Sequence, residues 1–442
     1  MTMSKDPLSG WDTEDRHLIG MPHSVREDPR TEKSGFLARL CNRCAAIPWA
    51  ELPGDPRYAA DGDRRPVIDE RRQQLGDSPC RICHLLGTIK AFGWLKFIGC
   101  VPAAPGSHFK GRICFFPGEG VAVPKVAHPD LYGYLGILDS FEANLPFPRP
   151  TLDFVDLNIV RDWINDCTAS HSTACQPDDT SKLQDLRVID CETLLICSAP
   201  ETFAYVALSY VWGPPSEFAE ENYVFPSLPA QRSRTIEDAI SVTKRLGFRY
   251  LWVDRYCINQ NDPEHKMRQI RQMGAIYSSA ALTIVAAAGN GPKHGLPGIS
   301  LPRQVSMPYG QVVGSVALVL TTVAAVEDVY NTTWAYRAWT FQEGYLSRRR
   351  LFFTDSTMLY VCNQDMRSDI IGEDYMLGDI HGHRMLQLFV PWNSPMPAQD
   401  DWNVQSKNLN VAGRHMKAFS ERRLTYSSDA LNAILGILDH LS

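Results

Sequence analysis

Cysteine and histidine spacing is the first chemistry visible in this chain. Cys41-Asn42-Arg43-Cys44 and Cys80-Arg81-Ile82-Cys83 are two Cys-x-x-Cys knuckles. One knuckle presents two thiolates to a tetrahedral ion, and two complete a four-thiolate structural zinc site that staples a module without doing chemistry. Four idle thiols are the rival reading. His84 could replace a thiolate, but a closed four-thiolate set does not need it. Cys167, His171 and Cys175 recur at intervals of four. On a helix they share one face, which suits a second metal site with Cys191 or Cys197 as its fourth ligand. A packed helix face explains the same spacing.

Other segments test and fail. Gly289-Asn290-Gly291-Pro292-Lys293-His294-Gly295 follows a strand pattern and mimics a dinucleotide fingerprint. Pro292 and Pro297 forbid the helix whose N-terminus would hold a pyrophosphate. The chain has no Gly-x-Ser-x-Gly, His-Glu-x-x-His or P-loop. Cys257 has no basic helix end beside it and reads as a small buried hydrophobe. Arg348-Arg349-Arg350 is short and reads as a solvated strand or helix end.

These residues must be positioned by more than one core. The chain has 442 residues, 44% hydrophobic and 21% charged, which is ordinary globular composition with room for two or three domains. A net charge of -6 argues against nucleic acid and polybasic membrane partners. The N-terminus lacks the apolar run of a signal peptide, and Ala280–Ala288 is too short to span a bilayer. A cytoplasmic or nuclear protein is expected, whose 12 cysteines are thiols or metal ligands instead of disulfides.

Along the chain, residues 1–34 read as a disordered tail and 35–150 as the cysteine-rich, zinc-stapled module. Residues 151–200 form a bridging segment with a helix at Leu157–Cys167. Residues 201–375 alternate strands with helices, and 376–442 read as a helical extension that stops in mid-pattern, as a truncated chain would. Tyr205–Tyr210, Tyr250–Val253 and Ala281–Ala287 are short apolar strands. Between them lie helices, one capped by Thr235 and closed by Gly247, the other starting at Asp262-Pro263 and running to Tyr277. Short connections of this kind predict a parallel, three-layer α/β core with ligands outside the carboxyl ends of the strands. Beyond Gly289 the pattern is irregular to Trp334. A helix over Trp334–Glu343 and a hairpin, Arg350–Phe353 with Thr357–Cys362, follow.

Four segments of this core carry a resemblance. Tyr205-Val206-Ala207-Leu208-Ser209-Tyr210-Val211-Trp212-Gly213, Leu251–Gln260, Met273–Ala280 and Arg337-Ala338-Trp339-Thr340-Phe341-Gln342-Glu343 resemble, in order, the motifs of heterokaryon-incompatibility (HET) domains. Trp163, Cys167, His171 and Cys175, and the later Leu424–Asp429, are similar to flanking features of such proteins. Val211 stands where many relatives have cysteine, which argues against a catalytic thiol there. The resemblance implies a role in fungal non-self recognition, with cell death as its output. It further implies a distant likeness to Toll/interleukin-1 receptor (TIR) domains, with a flavodoxin-like strand order and Trp339-x-x-x-Glu343 near the ligand edge. Several TIR domains cleave NAD with that glutamate.

With NAD as substrate, nicotinamide leaves as an already cationic group, so bond breaking needs no general acid. A carboxylate facing the ribose stabilises the oxocarbenium-like transition state, and a glutamate of ordinary acidity, about 4.3, would be ionised. Glu343 is the candidate catalytic residue. Ser209, Tyr210, Trp212, Gly213, Asp254, Arg337 and Trp339 are candidate substrate-binding residues. Trp339, one turn before Glu343, could wall the site or be core. Asp254 could bond a ribose or cap its loop, and Gly213 would let a phosphate approach. The plain alternative pairs Glu343 with Arg337 or Arg348. The expected partners are NAD, a second copy or an upstream receptor-type activator. A catalytically silent TIR-like signalling module is the competing function.

Overall fold

The computed structural model describes residues 40–55, 68–87, 94–102, 110–117, 133–139, 153–200, 203–214, 225–303, 310–320, 328–330, 332–369, 413 and 415–441. The expected tail, residues 1–34, lies outside them, as does all of the segment 376–412.

In chain order, the first elements are α1 (Asn42–Ala46), β1 (Ile68–Arg71), α2 (Arg72–Gly76), α3 (Arg81–Gly87), β2 (Trp94–Pro102), β3 (Gly111–Pro117) and β4 (Gly133–Asp139). Then come α4 (Leu157–Ser170), α5 (Ser172–Cys175), β5 (Arg187–Asp190) and β6 (Leu195–Ser198). The central run is β7 (Tyr205–Ser209), α6 (Arg234–Arg245), β8 (Tyr250–Trp252), α7 (Asp254–Cys257), α8 (Pro263–Arg271), α9 (Met273–Ser279) and β9 (Leu282–Ala286). It is followed by β10 (Gly310–Val313), β11 (Val316–Leu320), α10 (Ala338–Leu346), β12 (Arg349–Phe353), β13 (Met358–Cys362), β14 (Met366–Ser368) and α11 (Asn432–Leu441).

The main sheet has eight strands in the order β14-β13-β12-β9-β7-β8-β5-β6. Its four central strands are parallel, β12 on β9, β9 on β7 and β7 on β8. Antiparallel pairs flank them on both sides, β5–β6 beside β8 and β13–β14 beside β12. The sheet is therefore mixed, and the expectation of an all-parallel sheet holds for its centre alone. β7 and β9 are buried at every residue, as strands covered on both faces must be. Numbered by sequence, the parallel strands run 2-1-3-4. With right-handed crossovers, the β7–α6–β8 connection lies on one face and β8–α8–α9–β9 on the other. Trp163 of α4 packs its ring on Tyr360 of β13 at 5.9 Å on the α6 side, where Arg161 also donates to Arg245 O. On the opposite face Phe341 of α10 and Ile434 and Ile437 of α11 share a core with Val285, Phe352 and Leu359. The result is three layers. Gly274 of α9 and Gly436 of α11 let those helices touch, since a Cβ on Gly274 would stand 3.1 Å from the Gly436 Cα.

Several local readings shift. Ser233, not Thr235, holds the cap position of α6, and the Thr235 hydroxyl instead accepts from Gly295 N. Asp262 caps α8 as expected, accepting from Glu264 N and His265 N, but the helix breaks at Gln272. The helix predicted from Trp334 begins at Ala338. Arg349 and Arg350 are buried rather than solvated. The segment read as a bridge supplies α4 and the β5–β6 pair of the main sheet.

A second sheet has the order β1-β2-β3-β4-β11-β10. Its last two strands come from the stretch between β9 and α10 that read as irregular. Val313, Val316 and Leu318 of that hairpin share one core with Trp49, Leu75, Leu85, Ile113 and Leu135. No helix among the described residues is long and apolar enough to cross a membrane.

Candidate functional site

Strand order 2-1-3 reverses direction between β7 and β9, which opens a crevice at their carboxyl ends. Ser209 is the last residue of β7 and is fully buried. Its hydroxyl donates to Glu343 Oε2 at 2.5 Å and accepts from Trp334 Nε1 at 2.7 Å. α10 carries Glu343 across this strand end, and the residue is 5% exposed. Tyr277 of α9 stands beside the carboxylate and donates its hydroxyl to Leu208 O at 3.2 Å. Ser347 fixes the end of the same helix by donating to Glu343 O at 2.7 Å while pairing with Thr283 of β9.

Beside it, Asp254 follows β8. Its carboxylate accepts from Trp212 Nε1 at 2.8 Å and from Arg255 N at 2.7 Å. The Arg255 guanidinium lies 6.0 Å from the centre of the Trp212 ring. Desolvation, and then the Asp254 charge, push Glu343 up to about 7, against the lowering pull of Ser209, Arg337 and Tyr277. Desolvation pushes Asp254 up to about 6. The ionised state expected of Glu343 from its ordinary acidity is thus shared with a protonated state near neutral pH.

Glu343, Ser209, Trp212 and Asp254 therefore lie at one edge of the sheet. Gly213 has φ +78, a conformation that glycine adopts without strain as the chain leaves β7. Tyr210 is buried in the main core. Arg337 precedes α10 and acts on Glu343 through its field, while Arg348 pairs with Asp178 at 2.7 Å; the proposed Arg348–Glu343 pair does not form. Trp339 is half-buried against the core and directs its N–H at Asp429, 3.4 Å away. Cys257 is buried, and desolvation raises its thiol far above the ordinary range. Trp334 and Tyr277 escaped the sequence reading because aromatic residues in apolar runs read as core; only coordinates reveal where their polar tips aim. A cavity of about 320 Å³, bordered by Ser278, Arg348 and Gly436, lies at the opposite edge, where β9 and β12 begin.

Two clusters away from this edge could hold a metal such as zinc. In the first, Cys41, Cys44, Cys80 and Cys83 bring their sulfurs within 4.8 Å of one another. Cys41 caps α1, and Cys83 Sγ lies 3.8 Å from Cys41 Sγ and 3.6 Å from Cys44 Sγ. A tetrahedral ion with metal–sulfur bonds of about 2.3 Å separates its sulfurs by about 3.8 Å, so the set fits zinc. His84 instead meets Gly76 O at 2.9 Å through Nδ1. In the second cluster, Cys167, His171 and Cys175 are joined by Cys362 at the end of β13. Cys191 and Cys197 are not the fourth member. The three do not ride one helix face either: α4 ends at Ser170, His171 caps it, and Cys175 lies on α5. No local spacing could point to Cys362, because a strand distant in sequence brings it there.

A mixed α/β domain with a buried carboxylate over its switch point is the class the geometry defines. The family model described as "Heterokaryon incompatibility protein (HET)" matches residues 205–343, β7 through Glu343. The chain thus carries a HET domain. It is distantly homologous to "Heterokaryon incompatibility protein 6, OR allele" of Neurospora crassa, with 34% identity over 127 residues. That alignment covers 25% of this chain and 19% of the relative's length. No solved structure matches.

Proposed function

We propose that this protein is an effector of fungal non-self recognition and regulated cell death, whose TIR-like HET core cleaves the nicotinamide–ribose bond of NAD on activation. The observation that carries the reading is Glu343, desolvated and bonded to Ser209 at the crevice where α/β sheets bind nucleotides. In the reaction the bond from the ribose carbon to the pyridinium nitrogen breaks, and its electron pair leaves with nicotinamide. Water then adds to the ribose carbon and gives up a proton. Glu343 faces the developing oxocarbenium as an anion. An approaching pyridinium cation favours that anion, so substrate binding itself corrects the raised acidity constant. Asp254 and Trp212 would hold the ribose and the ring beside it, with Tyr210, Gly213, Arg337 and Trp339 completing the wall.

The burial of Glu343 makes activation a matter of opening or completing the site. Self-association, or an upstream receptor-type activator, supplies that step in a cytoplasmic protein. The four-cysteine cluster of the N-terminal unit would hold a structural zinc ion. Two observations favour a second reading, a catalytically silent signalling module. The Glu343 carboxylate is occupied by the internal hydrogen bond from Ser209, and the 320 Å³ cavity lies at the other edge of the sheet. Chromatographic assay of nicotinamide release by the purified chain, free and in forced oligomers, separates the two. Release that disappears in Glu343→Gln supports cleavage. No release from either form sinks it, and full activity in Glu343→Gln moves the catalytic role elsewhere.

A further inference from the structure

We infer that Cys167, His171, Cys175 and Cys362 form a closed structural zinc site that latches the segment before β5 onto the end of β13. This goes beyond the proposed function and stands whether or not NAD is cleaved. The four ligand atoms lie within 4.8 Å of one another, and three of the four residues are buried. His171 Nδ1 stands 3.6 Å from Cys362 Sγ. Tetrahedral zinc with bonds of about 2.3 Å to sulfur and about 2.0–2.1 Å to nitrogen has an N···S edge of about 3.6 Å. The His171–Cys362 edge therefore has the length the ion requires.

The surroundings are built for thiolates. Cys362 Sγ accepts backbone N–H groups from Asp365 at 3.1 Å and Gln364 at 3.4 Å. Arg349 is 4% exposed, and its Nε lies 3.2 Å from Cys167 Sγ. Its other contacts are Ala281 O and the Thr168 hydroxyl, with no ion pair to a carboxylate among the described residues. A buried cation needs an anion. Three thiolates and a neutral imidazole around a divalent ion carry a net charge of -1, which Arg349 offsets through an outer-sphere hydrogen bond. Three soft sulfurs and one imidazole nitrogen in a closed tetrahedron select zinc and leave no open position for catalysis.

The ion would tie together the end of α4, the α5 turn and the last residue of β13. Asn363, next along, continues the latch by donating to Ala174 O at 2.8 Å and meeting Arg350 through its side-chain oxygen. The chain thus closes a long loop at a point where the sheet itself provides no pairing to α4.

Elemental analysis of the full chain, purified without chelators, tests the assignment. Zinc per chain falls by one equivalent in Cys362→Ser and is unchanged in Cys191→Ser, a buried thiol outside the cluster. An unchanged content in Cys362→Ser, or no zinc in the wild type, overturns it. Zinc-edge X-ray absorption on the wild type needs no variant to fold. The first cluster offers sulfur alone, so nitrogen in the averaged shell reports His171, and an all-sulfur shell overturns the site.

Discussion

Replacing Glu343 by glutamine removes a charge from the interior while keeping a side-chain oxygen for the Ser209 hydroxyl. The folded protein holds this carboxyl near 7, against an unperturbed 4.5. Between those values the native state binds a proton that the unfolded chain has released, so stability falls as pH rises. The favourable increment is full below pH 4.5 and gone once the pH passes about 7. A shift of roughly 2.5 units at about 1.36 kcal/mol per unit corresponds to about 3 kcal/mol in all, of which about 2.5 kcal/mol lies between pH 5 and pH 8. Glutamine carries no such dependence. Whatever fixed penalty its amide N–H groups bring is the same at both pH values and cancels. The stability of Glu343→Gln relative to wild type should therefore rise by about 2–3 kcal/mol from pH 5 to pH 8. At roughly 2–4 °C per kcal/mol for a domain of this size, the Tm difference should widen by about 4–12 °C. Thermal unfolding followed by circular dichroism at the two pH values reads it. A difference that stays constant, or widens toward acid, would show that Glu343 is not desolvated in the folded protein.

Three other substitutions probe the same framework. Ser209→Ala removes the donor to Glu343 and leaves the Trp334 N–H without its acceptor, so a loss of about 1–3 kcal/mol is expected in urea titration. Arg350→Met keeps the volume of a fully buried side chain but strips hydrogen bonds from Gly344 O, Tyr345 O and Ser347 O at the end of α10, costing about 3 kcal/mol or more by the same titration. Gly274→Ala puts a methyl group 3.0 Å from Leu346 Cδ1 and 3.1 Å from the Gly436 backbone; α9 and α11 must separate, with a loss of about 1–3 kcal/mol and faster amide exchange in α11.

What the sequence made legible follows the range of the forces involved. β7, β8 and β9 announce themselves because a strand buried on both faces must be apolar throughout; the crossover rule adds the handedness of their connections, while their flavodoxin-like order is implied by the family resemblance alone. The two Cys-x-x-Cys knuckles are legible for the same reason, since each is a local geometry. Pairing across long separations leaves no such mark. The β10–β11 hairpin lies between β9 and α10, yet its strands complete the sheet begun by β1, and nothing in its composition names that partner. Arg349 and Arg350 misled for a related reason. A run of three arginines is solvated unless buried acceptors await it, and here those acceptors are Cys167 and the carbonyls closing α10. The Glu343 site shows the limit most clearly. Its residue type and its place after Trp339 were readable, but its protonation was not, because that depends on how much water the fold removes and how near Asp254 is brought. A reference acidity describes an exposed glutamate. The buried one has to be argued from its neighbours, and those neighbours arrive from β7, the end of β8, α9 and the loop before α10.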